Sequence, residues 1–275
     1  MTSAPEGSAD SGDRTAADGP GARPGRRRAS RRRRVLSRIA LGIGGLLVAG
    51  VIGLVVWSQV GVMGAEPGPL AALTADPGIT IDDSSGNVVM TPTETASGTG
   101  LVFIPGAKVD AEAYAAKLAD LVTDEGVTVV ITRPWLNLAF FDLRPLSNFT
   151  DAAPGVSTWL VGGHSLGGVK ACQLAPDADG LVLFASYCAN DLSGSGLPVV
   201  SLGGSEDGLS TPAKIDDARP RLPSDATLVQ IDGAAHSSFG DYGPQDGDGT
   251  PSISDEEMTA AITASVADLL QRLER

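Results

Sequence analysis

Apolar and polar residues are grouped in blocks that change character near residues 39, 65 and 79. Residues 1–30 have no aromatic and almost no large apolar side chains, which is typical of a disordered arm. Residues 39–65 then contain no charged side chain, and from residue 79 short apolar runs alternate with helical stretches. We therefore predict a disordered basic arm over 1–38, a transmembrane helix over 39–62, a linker over 63–78 and a folded domain over 79–275.

The folded domain shows the apolar pattern of an α/β protein. Eight short runs predict strands: 79–82, 87–92, 99–104, 127–132, 158–162, 180–186, 198–202 and 226–231. Three longer stretches predict helices over 110–125, 166–175 and 255–273, the last beginning with the capping pair Ser254 and Glu257. Near-continuous apolar strands interleaved with helices favour a mostly parallel eight-stranded sheet flanked by helices.

The charge distribution predicts how the apolar segment is oriented across a membrane. Residues 1–40 carry ten arginines and four acids, a net charge of +6, so the total of −13 leaves −19 for the rest. A basic arm can bind nucleic acid, but this one lies directly before the apolar segment, so membrane orientation is the simpler use. The positive-inside rule then predicts a single-pass protein with a cytoplasmic N-terminus and an extracytoplasmic domain, and no nucleic-acid partner.

Two alternatives to an uncleaved anchor are open. A cleaved signal peptide would have a shorter apolar core and a small-residue cleavage site, which Met63-Gly64-Ala65 matches poorly. A twin-arginine signal is loosely matched by Ser30-Arg31-Arg32 and by Arg33-Arg34-Val35-Leu36.

Two cysteines, Cys172 and Cys188, fall in the part predicted to be outside the cytoplasm. An oxidising compartment allows them to form a disulfide, while two small buried apolar residues are the equal alternative. No CxxC motif or His/Cys cluster indicates a metal.

Residues 163–167, Gly-His-Ser-Leu-Gly, follow a strand-like run and open a predicted helix. This G-x-S-x-G pattern is typical of a nucleophile elbow, in which small neighbours permit a strained turn that exposes the serine hydroxyl. Ser165 is therefore the candidate nucleophile, placed at a helix N-terminus that favours developing negative charge.

A serine nucleophile needs a histidine base oriented by a carboxylate. Of two histidines, His164 adjoins Ser165 and should point away from it, which leaves His236 as the candidate base. Asp207 is the candidate acid because it follows a predicted strand and lies between Ser165 and His236. Glu206 and Asp191 are the weaker candidates.

The oxyanion hole requires two backbone N–H groups aimed at the substrate oxygen. Leu166 should supply one, because it follows the nucleophile. The other should come from the loop after strand 99–104, with Ala107 as first choice and Gly106 close behind.

Two further groups have open interpretations. Trp135, Phe140 and Phe141, together with Phe239 and Tyr242, are aromatics near strand ends, and either pack ordinarily or form an acyl- or alcohol-binding wall. Asp241, Asp246 and Asp248 lie in a Gly-rich loop whose spacing fits no known calcium loop, so a solvated surface is expected.

These motifs together resemble the α/β-hydrolase superfamily, in particular its small dienelactone-hydrolase-like branch with membrane-anchored bacterial members. The resemblance covers about residues 79–275 and rests on four runs: Gly163-His-Ser-Leu-Gly-Gly168, Phe103-Ile-Pro-Gly106 followed by Val109-Asp and Tyr114, Asn137-Leu-Ala-Phe-Phe141 and His236-Ser-Ser-Phe-Gly-Asp-Tyr-Gly243. Two departures limit it. The nucleophile is serine, whereas dienelactone hydrolases proper use cysteine, and the oxyanion loop is Pro-Gly-Ala rather than the His-Gly-Gly-Gly of lipases.

The resemblance implies a serine hydrolase that cleaves small carboxylic esters through an acyl-enzyme, without a cofactor or metal. The alternatives are acyl transfer to a cell-envelope acceptor and a non-catalytic envelope module on the same fold, because one fold hosts many functions.

Overall fold

A computed structural model describes residues 25–274 and the side chains from Arg33 onward. The first element is a helix, α1, over Gly25–Gln59, and the division between two compact units of the chain falls within it, after Gly53. Residues 1–24 of the predicted disordered arm lie outside the described residues. Residues 25–38, which belong to the same predicted arm, are helical, and arginine is a good helix former that continues the apolar helix toward the N-terminus.

The apolar part of α1 is long enough to cross a bilayer. Its stretch Arg33–Gln59 has 27 residues, and it is the one described helix with the length and composition of a membrane span. Its uncharged residues 39–59 number 21 and, at 1.5 Å per residue, measure about 32 Å, which matches the roughly 30 Å of a hydrocarbon core.

The second unit is built on one eight-stranded sheet. The strands are β1 (Ile79–Asp82), β2 (Val88–Pro92), β3 (Thr99–Ile104), β4 (Thr128–Ile131), β5 (Thr158–His164), β6 (Gly180–Phe184), β7 (Val199–Gly204) and β8 (Thr227–Ile231). Their order is β1-β2-β4-β3-β5-β6-β7-β8, with β1-β2 and β2-β4 antiparallel and the other pairs parallel. All eight predicted strands are present, and the predicted fold class is confirmed.

The sheet is covered on both faces, as its apolar strands predict. Leu101 and Phe103 of β3 belong to one buried cluster, while the alternating Val102 and Ile104 belong to a second. Since successive side chains of a strand point to opposite faces, the two clusters are the cores on the two sides of the sheet.

Seven α-helices are described, and most are short. Besides α1 they are α2 (Pro67–Thr74), α3 (Ala119–Thr123), α4 (Ser147–Thr150), α5 (Leu166–Leu174), α6 (Pro212–Ala218) and α7 (Asp255–Leu273). The predicted capping box is present at α7, where the Glu257 N–H donates to Ser254 Oγ and the Ser254 N–H donates to the Glu257 carboxylate.

The continuous helix predicted over 110–125 is wrong. The structure has two 3₁₀ turns, Ala111–Tyr114 and Ala116–Leu118, and then α3, with a break at Leu118 (φ −107°, ψ 2°). The reason lies in the packing: the Tyr114 hydroxyl is hydrogen-bonded to Gly106 and His164, and Lys117 is buried against Asp241. These contacts override the local helical preference.

The segment 63–78 is folded onto the domain rather than forming an open linker. Met63 forms a parallel backbone bridge with Val109, and the Glu66 N–H donates to the Asp241 carbonyl at 2.7 Å. The helix α2 follows and buries Leu73 in the core. The Pro- and Gly-rich composition predicted a linker, but Pro67 lies in the first turn of α2, a position where proline favours the start of a helix.

Candidate active site

Ser165 lies in a strained turn between β5 and α5. Its backbone has φ 52° and ψ −122°, a conformation that a non-glycine residue rarely adopts. A Cβ on Gly167 would lie 2.0 Å from the Ile104 carbonyl oxygen, and one on Gly163 would lie 2.5 Å from the Gly167 carbonyl carbon. The two glycines of the motif are therefore required sterically, because no side chain fits where β3, β5 and α5 meet.

His236 and Asp207 are brought together at the same edge of the sheet as Ser165. Asp207 follows β7 and His236 follows β8, and the His236 Nδ1 atom lies 2.9 Å from Asp207 Oδ2. Both side chains are buried. The other Asp207 oxygen accepts the Leu209 and Ser210 N–H groups at 2.8 and 2.7 Å, so the carboxylate orientation is fixed on both sides.

The alternative acids, Glu206 and Asp191, are both exposed. Asp191 accepts a hydrogen bond from the Ser193 N–H and lies in the loop after β6. Among the described residues, neither has a hydrogen bond to His236, so Asp207 is the carboxylate that orients the imidazole.

No hydrogen bond joins the Ser165 hydroxyl directly to the His236 ring within residues 25–274. Catalytic hydrogen bonds often tighten only when substrate binds. Ser165 is therefore associated with His236 and Asp207 by position, because all three residues follow the carboxyl ends of parallel strands, β5, β7 and β8.

Asp248 is a site residue that the sequence reasoning missed, since it was expected at a solvated surface. Its Oδ1 atom accepts the N–H groups of His236, Gly208 and Gly249, and its Oδ2 atom accepts the N–H and hydroxyl of Ser237. One carboxylate thus joins the loop of the histidine to the loop of the acid. Burial alone would raise the pKa of Asp248, but these hydrogen bonds outweigh it and lower the pKa below its usual value.

A second buried chain of hydrogen bonds supports the turn from behind. The Gly106 N–H donates to the Tyr114 hydroxyl at 3.0 Å, and that hydroxyl lies 2.9 Å from His164 Nδ1. The backbone N–H can only donate, so the Tyr114 oxygen accepts from Gly106 and its hydroxyl proton is free for a hydrogen bond to His164 Nδ1. Burial, and then the charge of His236, lower the pKa of His164 well below its usual value, so the ring is neutral. Its ring lies beside the His236 ring, tilted by 47° with 4.5 Å between centroids.

The candidate oxyanion donors differ in availability. The Gly106 N–H already has the Tyr114 hydroxyl as its acceptor, which argues against the second choice for this role. The N–H groups of Leu166 and Ala107 have no hydrogen-bond acceptor among the described residues. These two remain the candidate pair.

The two cysteines form a disulfide. Cys172 in α5 is bonded to Cys188 in the loop after β6, with 5.5 Å between their Cα atoms. The bond joins α5, which begins directly after Ser165, to the loop that follows the adjacent strand β6.

The aromatics near the site separate into two classes. Phe239 and Tyr242 are buried in the core, as ordinary packing predicts. Trp135, Phe140 and Phe141 are exposed, so for these three the interpretation as ordinary core packing is wrong.

Comparison with known proteins identifies the family of the chain. The model of the alpha/beta hydrolase family matches residues 100–260, more than half of the chain. The chain belongs to this family. The match contains Ser165, Asp207 and His236, as well as the loop of Gly106 and Ala107.

Three solved structures share the fold of this hydrolase at low identity. The esterase domain of a Rhodothermus marinus protein is 14% identical with a TM-score of 0.52, covering 68% of this chain and 92% of that one. The TT1662 protein of Thermus thermophilus is 16% identical (TM-score 0.50; 70% and 98% covered). A predicted CIB-like hydrolase of Thermoplasma acidophilum is 15% identical (TM-score 0.50; 70% and 100% covered). No curated protein sequence matches the hydrolase.

Proposed function

We propose that this hydrolase is a serine esterase that cleaves carboxylic esters through a Ser165–His236–Asp207 triad. The observation that carries the proposal is the buried 2.9 Å contact between His236 and Asp207, at the sheet edge where the elbow presents Ser165. A buried imidazole held by a carboxylate, at the same sheet edge as a strained serine, is the arrangement that acyl transfer needs.

In the proposed mechanism, His236 takes the Ser165 proton as the serine oxygen attacks the ester carbonyl. The N–H groups of Leu166 and Ala107 stabilise the resulting oxyanion. His236 then protonates the departing alcohol, which leaves an acyl group on Ser165. A water molecule, deprotonated by His236, attacks that acyl group and releases the acid.

We further propose that α1 anchors the enzyme in the cell membrane with the catalytic unit outside the cytoplasm. The arginine-rich start of α1, its apolar stretch and the Cys172–Cys188 disulfide support this orientation, because disulfides persist in oxidising compartments.

A fluorophosphonate probe on the detergent-solubilised full chain tests the nucleophile. The wild type should be labelled, Ser165→Ala should not, and Ser193→Ala, which changes an exposed serine, should label like the wild type. No labelling of the wild type, or labelling that survives Ser165→Ala, would refute catalysis by Ser165 and leave a non-catalytic module. Product analysis with added alcohols distinguishes hydrolysis from acyl transfer.

The acid is tested by two neighbouring substitutions. Asp207→Asn should lower kcat on p-nitrophenyl acetate by about 10⁴-fold, because the amide stabilises the wrong tautomer of His236. Glu206→Gln is the matched control and should remain near the wild-type rate, since Glu206 is exposed. Equal losses in both variants would contradict the assignment of Asp207.

A further inference from the structure

Exposed large apolar side chains outside the N-terminal apolar stretch are concentrated in one loop. Beyond residue 60, five such side chains are exposed among the described residues, and four lie within 135–143: Trp135, Phe140, Phe141 and Leu143. Phe140 and Leu143 are the most open, at 69% and 77% exposure. We call residues 135–143 the apolar loop.

The apolar loop is rigidly held at its base, so its exposed side chains do not result from loose packing. Asp142 is buried and pairs with Arg144, whose guanidinium also donates to the Arg133 carbonyl at 2.9 Å. Leu136 and Asn137 have positive φ angles of 58° and 54°, a strained backbone that the surrounding contacts must maintain. The structure therefore presents these apolar side chains to the outside at an energetic cost.

The loop lies beside the candidate active site. The turn Ala139–Phe141 packs against α5, the helix that begins next to Ser165. The Lys108 N–H donates to the Asn137 carbonyl at 2.8 Å, which joins the loop to the residue after Ala107. A molecule that contacts the apolar loop is thus near the proposed oxyanion hole.

The same loop contacts the end of the apolar segment. The Asn137 side-chain amide donates to the Ser58 carbonyl at 3.1 Å, and the Lys108 ammonium donates to the Trp57 and Val60 carbonyls at 3.0 Å each. The ammonium also lies 3.7 Å from the centre of the Trp57 ring. All three contacted residues belong to the uncharged stretch 39–65, and tryptophan and lysine are typical of the membrane–water interface.

The local charge also differs from that of the domain. The one acid of the apolar loop, Asp142, is paired with Arg144, and the other flanking arginine, Arg133, is paired with Glu112. These pairs are locally neutral, whereas residues 41–275 together carry −19, so an anionic lipid surface would repel this loop less than the rest of the domain.

We propose that the apolar loop contacts the outer leaflet of the membrane in which α1 is anchored, and that the ester substrate is an amphiphile that reaches Ser165 from that bilayer. The first part rests on the proposed anchoring and the second on the proposed esterase function. Aromatic and leucine side chains that enter the interface gain their burial energy from the lipid, which accounts for their exposure in the protein alone.

Tryptophan quenching in membranes tests the contact independently of catalysis. The full chain has three tryptophans, so Trp57→Phe/Trp159→Phe leaves Trp135 as the sole reporter. The protein is reconstituted in vesicles of phosphatidylethanolamine and phosphatidylglycerol, with or without bromine on the acyl chains. Trp135 emission should fall by about half or more in brominated vesicles, as for a side chain inserted roughly 5–10 Å.

The matched control is Trp57→Phe/Trp135→Phe, which leaves Trp159 on β5, packed against the core. Its emission should stay nearly unchanged in brominated vesicles. If Trp135 is quenched no more than Trp159, the loop does not contact the bilayer and the proposal is overturned.

A second pair of variants tests substrate delivery. Phe140→Ser/Leu143→Ser should lower hydrolysis of a long-chain ester embedded in the vesicles by about tenfold, since burial of one such side chain is worth at least about 1.4 kcal/mol. Hydrolysis of soluble p-nitrophenyl acetate should not change. Ile81→Ser, at the fifth exposed large apolar side chain that the structure describes beyond residue 60, should change neither rate.

The outcomes separate the two proposals. An equal loss on both esters would make the loop a wall of the substrate site and overturn delivery from the bilayer. If the wild type hydrolyses neither ester, the proposed esterase function fails, while the quenching result still decides whether the loop contacts lipid.

Discussion

Replacing Asp248 by asparagine tests whether one carboxylate holds the histidine loop and the acid loop in register. The substituted side chain has one carbonyl oxygen where Asp248 has two acceptor atoms. If that oxygen stays at the Oδ1 position, it keeps the N–H groups of His236, Gly208 and Gly249. The new NH₂ group then faces the Ser237 N–H, which donates to Oδ2 at 2.8 Å in the wild type.

The cost can be worked from these contacts. Two hydrogen bonds to a charged acceptor are lost on the Oδ2 side, each worth about 1.5–3 kcal/mol net, and the three others weaken as the charge is removed. The Ser237 hydroxyl can rotate and accept from the new amide, which recovers part of the loss. We therefore expect a cost of about 2–4 kcal/mol, or a melting temperature lower by about 2–4 °C for each kcal/mol.

The assay must separate a loss of stability from a loss of positioning. The rate of fluorophosphonate labelling, measured well below the melting temperature, should fall about tenfold or more, because each 1.4 kcal/mol of lost alignment is about a factor of ten. In the proposed mechanism the labelling rate depends on His236 taking the Ser165 proton, which a uniform loss of stability does not change in the folded fraction.

Asp246→Asn is the matched control, because Asp246 is an exposed acid two residues away in the same loop. Its labelling rate and melting temperature should equal those of the wild type. An Asp248→Asn variant with the wild-type labelling rate would refute a positioning role for Asp248. An unchanged melting temperature would refute the expected loss of stability of about 2–4 kcal/mol.

Two further predictions concern stability. Replacing Cys172 and Cys188 together by alanine should lower the free energy of unfolding by about 3 kcal/mol, as expected for closing a loop of about 15 residues, and an unchanged urea midpoint would contradict it. Burial, with the charge of His236, holds the pKa of His164 well below 6.5, so its contribution is complete above about pH 6.5 and is lost as the pH falls toward the folded-state pKa. Between about pH 7 and 5.5 the free energy of unfolding measured with urea should fall by about 1.3 kcal/mol in total from this group, because the slope approaches about 1.4 kcal/mol per pH unit only below pH 6.5. His164→Gln should lack this loss, and the same pH dependence in the variant would argue against the assignment.

The strands and the elbow could be predicted because their signals are local. A strand buried on both faces must be apolar along most of its length, and β3, β4 and β6 are read directly from such runs. The elbow needs glycine on either side of Ser165 because backbone atoms approach there, so its sequence pattern follows from its geometry.

The role of Asp248 could not be predicted, because nothing within its own segment requires it. An aspartate between two glycines has the composition of a solvated turn. Its partners Gly208 and His236 are 40 and 12 residues away in sequence, and only the adjacency of β7 and β8 brings them to one carboxylate.

The prediction of a continuous helix over 110–125 is wrong for a related reason. Tyr114 and Lys117 fit a helical pattern, but their polar ends are satisfied by Gly106, His164 and Asp241, all outside that segment. Tertiary hydrogen bonds decide the backbone there, and the residues of the segment itself do not contain them.

The folded segment after α1 has a kinetic consequence. A flexible linker of the 16 residues 63–78 would give the catalytic unit a reach of roughly 20–24 Å from its anchor. The Met63 bridge, the Glu66 hydrogen bond and α2 hold this segment against the domain, so it does not act as a flexible linker. An enzyme anchored as proposed would search for a membrane-bound substrate by lateral diffusion in two dimensions. Its turnover would then depend on the amount of substrate per membrane area rather than on the bulk concentration of substrate.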